Sequence, residues 1–279
     1  MVRGNRYGRY ILSLITLLIC FMFLVPLLQT VSTSLKTNTE IFRVPASLVP
    51  LQVSGEHYRH VFVKLKDFFH FFRNSVVVTS VSVLLILMLG SLAAFGLARI
   101  DFFGKRFIIF FVSFIVSIPL IITVIPIFMI ETALKLKNTN LGLILPYVAV
   151  YMPVPLFIMY SSFLKIPSEL EESAVIDGCS RFVIYRKIFL PLASSGLVAA
   201  GLITFLNCWG EFLFALILTT KRNSTTLPIG IMMINQEEQA WALGPMSAVM
   251  VLSIVIPLAL YLFLQRYFVK GLLEGSLKG

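Results

Sequence analysis

Apolar residues fall along this chain in six long runs, each closed by charged or polar residues: 10–35, 74–98, 107–130, 138–164, 188–210 and 239–265. A helix needs about 20 such residues to cross the hydrocarbon core of a bilayer, where no water is present to bond the backbone. The pattern predicts an all-α membrane protein with six transmembrane helices. The fifth run is interrupted by one carboxylate, Glu211, and resumes over 212–220. The first follows Arg3, Arg6 and Arg9, as a secretory leader would, but its apolar body is longer than a leader's and no A-x-A site follows, so it is expected to remain as a helix.

Within the runs, Pro119 and Pro126 predict interruptions of helix three, and Pro153 and Pro155 of helix four. Such breaks fit a pathway lining or packing against neighbours. Small residues gather in run two (Gly90, Ala93, Ala94, Gly96) and in run five (Ser194, Ser195, Gly196, Ala199, Ala200, Gly201), where they permit close helix approach.

Two polar segments stand out between the runs. The first, 36–73, ends in a stretch where Phe68, Phe69, Phe71 and Phe72 alternate with basic and polar groups. It reads equally as an interfacial amphipathic segment or as a loop helix packed on the bundle. The second, about 165–191, is charged. Ser168 and Glu171 have capping-box spacing, Asp177-Gly178 reads as a helix stop, Ser180 as a second cap, and Pro191 fits the first turn of helix five. A helix over 169–176, a sharp turn, and a second helix carrying Arg181, Arg186 and Lys187 are expected.

Composition agrees with the runs: 58% apolar and 13% charged residues and a mean hydropathy of +0.93 lie far from a soluble domain. The net charge of +10 comes from short basic clusters at the ends of runs, which fit lipid headgroups and topology; no nucleic-acid partner is expected. Of the 23 Lys and Arg, 13 fall in the shorter segments on the side of the N-terminus and of 165–191, which predicts both termini and that segment to be cytoplasmic and 36–73 extracytoplasmic. Cys20, Cys179 and Cys208 form no CxxC pair. His57, His60 and His70 lie in one segment without accompanying cysteines, so no metal site is expected.

Nothing in the chain has the spacing of a catalytic site: GxxxxGK[ST], HExxH and GxSxG are all missing. Catalysis is not expected, and an ATP-driven version of this protein must borrow its ATPase. Ionisable groups inside a membrane are costly, and Glu211 is the one such group expected to be buried. With Asn207 one turn away and Trp209 beside it, Glu211 has the chemistry of a polar, aromatic-walled path suited to sugar hydroxyls. A structural bond to a neighbouring helix is the alternative.

Glu172-Ser173-Ala174-Val175-Ile176-Asp177-Gly178, nine residues, then Ile188-Phe189-Leu190-Pro191 resembles the EAA loop of permease subunits of ABC importers, with Ser173 in place of the second residue, Ala. The likeness extends to Arg73-Asn74-Ser75, Leu92-Ala93-Ala94-Phe95-Gly96-Leu97-Ala98-Arg99, Trp209-Gly210-Glu211-Phe212, Thr226-Leu227-Pro228 and Leu264-Gln265-Arg266-Tyr267-Phe268-Val269-Lys270-Gly271, which are similar to the carbohydrate-type, maltose-permease-like branch. Gly210 stands where that branch often has Asn. The resemblance implies a type I ABC importer transmembrane fold in a prokaryotic cytoplasmic membrane. It divides the chain into a first helix and extracytoplasmic loop (1–70), a permease core (71–265) and a cytoplasmic tail (266–279). It implies that Glu172, Ser173, Ala174, Asp177, Gly178, Ile188, Leu190 and Pro191 form a coupling loop for separate ABC ATPase subunits, which use the ATP and Mg. A second permease subunit and an extracytoplasmic solute-binding protein complete the machine. This chain itself is expected to bind no cofactor.

Import of a sugar or oligosaccharide is the leading expectation. An importer of another polar solute, such as a polyamine or phosphonate, shares the loop but not the tail. An ion-coupled secondary transporter needs several intramembrane charges and usually repeated halves. A membrane scaffold leaves the 165–191 segment unexplained.

Overall fold

The computed structural model describes residues 6–276 except 46 and 239–242; the start of the sixth run, Arg3, the side chains of the motif residues Tyr267–Gly271 and the last three residues of the tail lie outside the described part. Among the described residues all regular structure is helical. The chain runs through α1 (Arg6–Leu35), α2 (Asn38–Ile41), α3 (Glu56–Val63), α4 (Lys66–Arg99), α5 (Lys105–Val116), α6 (Leu120–Ala133), α7 (Leu141–Tyr151) and α8 (Pro153–Leu164). It continues through α9 (Ser168–Ile176), α10 (Arg181–Ile184), α11 (Leu190–Leu192), α12 (Ser194–Trp209), α13 (Leu213–Leu218), α14 (Leu227–Glu238) and α15 (Leu243–Ser276).

Three described helices are each long and apolar enough to cross a membrane, Tyr10–Leu35, Asp67–Arg99 and Leu243–Arg266. The other three runs are bent pairs: α5 with α6 by 101°, α7 with α8 by 47°, and Arg181–Leu192 with α12 by 79°. Counting each pair once gives up to six spans. Pro119 makes the sharpest break, sitting in extended backbone (φ −59, ψ 130) ahead of α6, while Pro126 stays inside that helix. Pro153 occupies the first turn of α8, where its missing N–H costs no helical bond.

Of the two readings of the stretch before run two, the packed loop helix fits its first half, α3, which buries His57 and Val61 against α1, whereas the phenylalanines belong to α4. Residues 66–73 are the opening turns of α4, continuous with the membrane helix, and Phe68 and Phe71 are almost fully buried while Phe69 is half exposed. His70, the one polar residue between these rings, is exposed, and the helix starts about two turns before the apolar run does.

The packing divides into two units, one of Met1–Phe68 and Ile231–Val255, the other of Phe69–Gly230 and Ile256–Gly279. In the first, Glu40 organises the loop after α1: its Oε1 accepts hydrogen bonds from Ser47 Oγ (3.0 Å) and the Leu51 N–H (2.7 Å), and the Lys36 ammonium donates to the Ser47 carbonyl. The Leu51 N–H does most to hold the Glu40 carboxyl below its usual range. His57 is buried against Gly244, and burial pushes its pKa down against the opposing pull of Glu56. In the second unit α12 lies along α8 so closely that a Cβ on Gly196 would sit 2.1 Å from Ser162 Oγ. Of the small residues noted in run five, this glycine is the one the approach requires.

Candidate functional site

The 165–191 segment is a helix, a turn and a second helical arm. The expected capping box is absent, because the chain before α9 is Pro167 in extended backbone (ψ 141) and Ser168 is already the first helical residue; Pro167 has no side-chain acceptor to offer. Glu169 and Glu171 in the first turn still complement the positive end of the helix. The C-terminal stop is as expected. Gly178 has φ +79°, its N–H bonds the Val175 carbonyl at 3.0 Å, and the Cys179 N–H bonds the Ala174 carbonyl at 2.9 Å, the paired bonds of a Schellman turn. Ser180 then caps the next helix, accepting from the Val183 N–H at 3.4 Å.

The arm that follows is α10, one π-helical turn over Tyr185–Phe189, and α11. In the π turn the Leu190 N–H reaches back five residues to the Tyr185 carbonyl. Pro191 accounts for it: a proline ring clashes with the carbonyl four residues earlier, and a widened turn relieves that contact. Pro191 therefore lies inside the arm, contrary to the expectation that it opens helix five; α12 begins after the bend at Ala193.

The motif residues separate into an exposed rim and a buried root. Glu172, Ser173, Asp177, Gly178 and Pro191 are exposed, Ile188 and Leu190 half-buried, and Ala174 buried. The Ser173 hydroxyl, where alanine was the family expectation, donates to the Glu169 carbonyl of its own helix at 2.7 Å, so the substitution is absorbed locally. Below the rim, Phe95 of α4, Phe163 of α8 and Tyr185 and Phe189 of the arm form one ring cluster, with centroid separations from 5.0 to 6.4 Å and mostly edge-to-face. Each such pair adds about 0.5–1.5 kcal/mol beyond burial. A cavity of 780 Å³ opens beside this root between α8 and α12, lined by Phe157, Ile158, Lys165, Leu170, Ala199 and Ile203 among others.

The second candidate group lies where α12 ends. Glu211 follows the helix stop at Gly210 and is 4% exposed. Its carboxylate accepts from the Tyr147 hydroxyl (2.6 Å), the Phe214 N–H (2.7 Å) and the Ala215 N–H (3.1 Å), so it caps α13 and ties it to α7. Trp209 is also buried, stacked on Phe205 at 5.6 Å and edge-on to Phe72 at 6.0 Å, whereas Asn207 is exposed. The three residues named together in the sequence thus occupy three different environments. Glu211 is also not the sole buried acid of the apolar runs: Glu131, one residue beyond run three, is 3% exposed.

Two motifs distant in sequence also meet. Asn74 Nδ2 donates to the carbonyls of Asn223 (2.8 Å) and Thr225 (3.0 Å), and Ser75 Oγ accepts from the Leu227 N–H at 2.7 Å. Asn138, at φ +61°, accepts from the Thr220 and Lys221 N–H groups at 2.6 and 2.9 Å. Sequence reasoning passed over Asn138, Tyr147 and Arg99 as functional side chains. The local sequence of each carries no periodic or capping signal, since their partners lie 64 or more residues away. Among the described residues, no group of three or more His, Cys, Asp and Glu side chains converges as a metal site would require.

A family profile for the inner membrane component of binding-protein-dependent transport systems matches residues 86–274. The arabinooligosaccharides transport system permease protein AraQ of Halalkalibacterium halodurans is 33% identical over 94% of this chain and 93% of its own length. The trehalose transport system permease protein SugB of Mycobacterium tuberculosis is 33% identical over 99% of this chain and all of its own. In three dimensions the chain superposes on a subunit of a bacterial ABC transporter involved in import of the acidic polysaccharide alginate, with a TM-score of 0.85 at 20% identity, over 96% of this chain and 99% of that one. A helical membrane fold with a capped turn between α9 and its arm, and identity above 30% along nearly the whole length, place the chain in a single family: it belongs to the inner membrane components of binding-protein-dependent transport systems, the ABC importer permeases.

Proposed function

We propose that the chain imports a sugar or oligosaccharide, and that residues 165–191 are its contact with a separate ATPase. The observation that carries the reading is the division of this segment into an exposed acidic rim, Glu172 and Asp177 around the Gly178 turn, and a root packed into the bundle. A docking surface needs that division, because the rim must meet a partner while the root transmits its movement. Relatives named for arabinooligosaccharide and trehalose transport supply the substrate class.

The ATPase subunits hold the ATP and Mg, since the chain has no phosphate-binding loop of its own. A second permease subunit completes the pore, and an extracytoplasmic binding protein delivers solute. The termini and the loop face the cytoplasm, and the first 70 residues, the 71–265 core and the 266–279 tail are the working divisions. ATP-driven closure of the ATPase pair moves the rim, and the bundle alternates between inward-open and outward-open states. At the other end, Glu211 and Trp209 form the wall behind the solute path, and Asn207 is the member of the trio open to it.

The Gly178→Val variant tests the coupling. A β-branched L-residue at φ +79° is strained by more than the ~1–2 kcal/mol cost of left-handed backbone, so uptake of labelled oligosaccharide by the reconstituted complex is expected to be abolished with the subunits still assembled. Normal uptake would refute it. Asp177→Lys or Glu172→Lys is expected to lower recovery of the ATPase on affinity purification of the permease.

A further inference from the structure

Three residues of α4, Ser91, Phe95 and Arg99, recur at a spacing of four and form one stripe along that helix. Each meets the coupling arm or its neighbours. Ser91 Oγ and the Tyr185 hydroxyl are hydrogen-bonded at 2.7 Å in a buried site. Phe95 packs on Phe163, Tyr185 and Phe189. Arg99, its side chain 11% exposed, makes the most varied set of contacts. Its Nη2 donates to the carbonyls of Phe163 (2.7 Å) and Ile166, its guanidinium lies over the Phe189 ring at 4.7 Å, and its Nε is 3.8 Å from Glu171 Oε2 in α9.

Arg99 therefore touches the end of α8, the link into α9, α9 itself and the arm. The Phe163 carbonyl lies in the last turn of α8 and the Ile166 carbonyl just beyond it, so a fixed cation there also complements the helix's negative end. The arm itself is bent 79° from α12, so α12 does not continue the arm as a straight rod.

We propose that Arg99 is the positioning residue that ties the coupling loop to α4, so that displacement of α9 is carried into α4 as well as into α12. The inference rests on the coupling reading above and adds to it a second route into the bundle. It requires the guanidinium shape as well as its charge. A lysine ammonium keeps the charge and can still donate to the two carbonyls that Nη2 reaches, but it has no second nitrogen to face Glu171 at the same time and no plane to lie on Phe189.

The experiment compares Arg99→Lys, Glu171→Gln and Phe189→Leu with the unaltered complex in proteoliposomes, reading oligosaccharide uptake per ATP hydrolysed. A residue that only stabilises the fold changes the amount of complex but not this ratio. For Arg99→Lys the ratio is expected to fall about tenfold, the combined effect of losing the guanidinium plane on Phe189 and the Glu171 pairing. Glu171→Gln and Phe189→Leu are expected to lower the ratio in the same direction and by less. An unchanged ratio in Arg99→Lys overturns the proposal. Should that complex not be recovered, unchanged ratios in the other two overturn it equally. Gly178→Val run in parallel separates the two claims: if it abolishes uptake while the Arg99 ratio is unchanged, only the Arg99 inference fails, and if it leaves uptake normal the coupling reading itself fails.

Discussion

The root of the coupling loop and the α12–α13 junction around Glu211 are both buried and both join segments far apart in sequence, yet they are held by different chemistry. At the coupling loop the contacts are mostly ring against ring, with one hydroxyl pair at Tyr185 and one cation, Arg99, that lies above Phe189 and bonds two backbone carbonyls. Around Glu211 and Asn74, polar side chains bond directly to the backbone of the segments they hold. Ring pairs are favourable over a range of centroid separations, about 4.5–7 Å, whereas the bonds of a carboxylate gripping three donors weaken steeply with distance and angle. On the coupling reading proposed above, the difference separates a part that shifts from a part that stays.

The sharpest way to break that contrast is Glu211→Gln. An amide has one acceptor oxygen where the carboxylate has two, so one of the Tyr147, Phe214 and Ala215 donors is left without a partner, at a cost of about 1–3 kcal/mol. Thermal unfolding of the purified permease is expected to shift down by several degrees, while Asn207→Ala, at an exposed position, leaves it unchanged. A Glu211→Gln protein that melts normally would remove the junction from the fixed parts.

Asn74→Ala is expected to cost less, about 0.5–1.5 kcal/mol, because the carbonyls of Asn223 and Thr225 tolerate a lost donor better than an N–H tolerates a lost acceptor. Uptake per ATP in this variant sharpens the comparison: a static anchor leaves the ratio unchanged, and a fall in it would show that the anchor moves in transport.

The smallest effect concerns pH. His57 titrates in the folded chain below its ordinary value because it is buried, so the unfolded chain binds the extra proton first. Stability from this site is present above the unfolded value, about 6.5, and is lost as pH falls below it. Melting temperature should decline between pH 7 and 5, with a shallower slope in His57→Gln, and equal slopes would assign the decline to other groups.

The six apolar runs and the helix-turn-helix of the coupling segment were legible because both rest on local rules, hydrocarbon length and the φ that only glycine accepts easily. The bends at Ser117–Pro119 and Ala193 were not, or only in part, since a proline marks where a helix is able to break and not the angle it takes. Ser168 misled because its capping-box spacing was right while the residue before it had already taken the cap position. Glu211 was visible as a costly buried charge, but its three donors come from α13 and from Tyr147 in a helix 64 residues away, and no periodicity encodes that distance. Arg99 was read as the end of a motif for the same reason.

No atom lies within 4 Å of where a side chain at 178 would begin, so the site has room for one. What it excludes is handedness, since φ +79° is ordinary backbone for a mirror-image residue and strained for a natural one. D-alanine at this position, introduced by semisynthesis, should restore the transport that L-valine abolishes, and would do so with a methyl group where the genetic code can offer only a hydrogen atom.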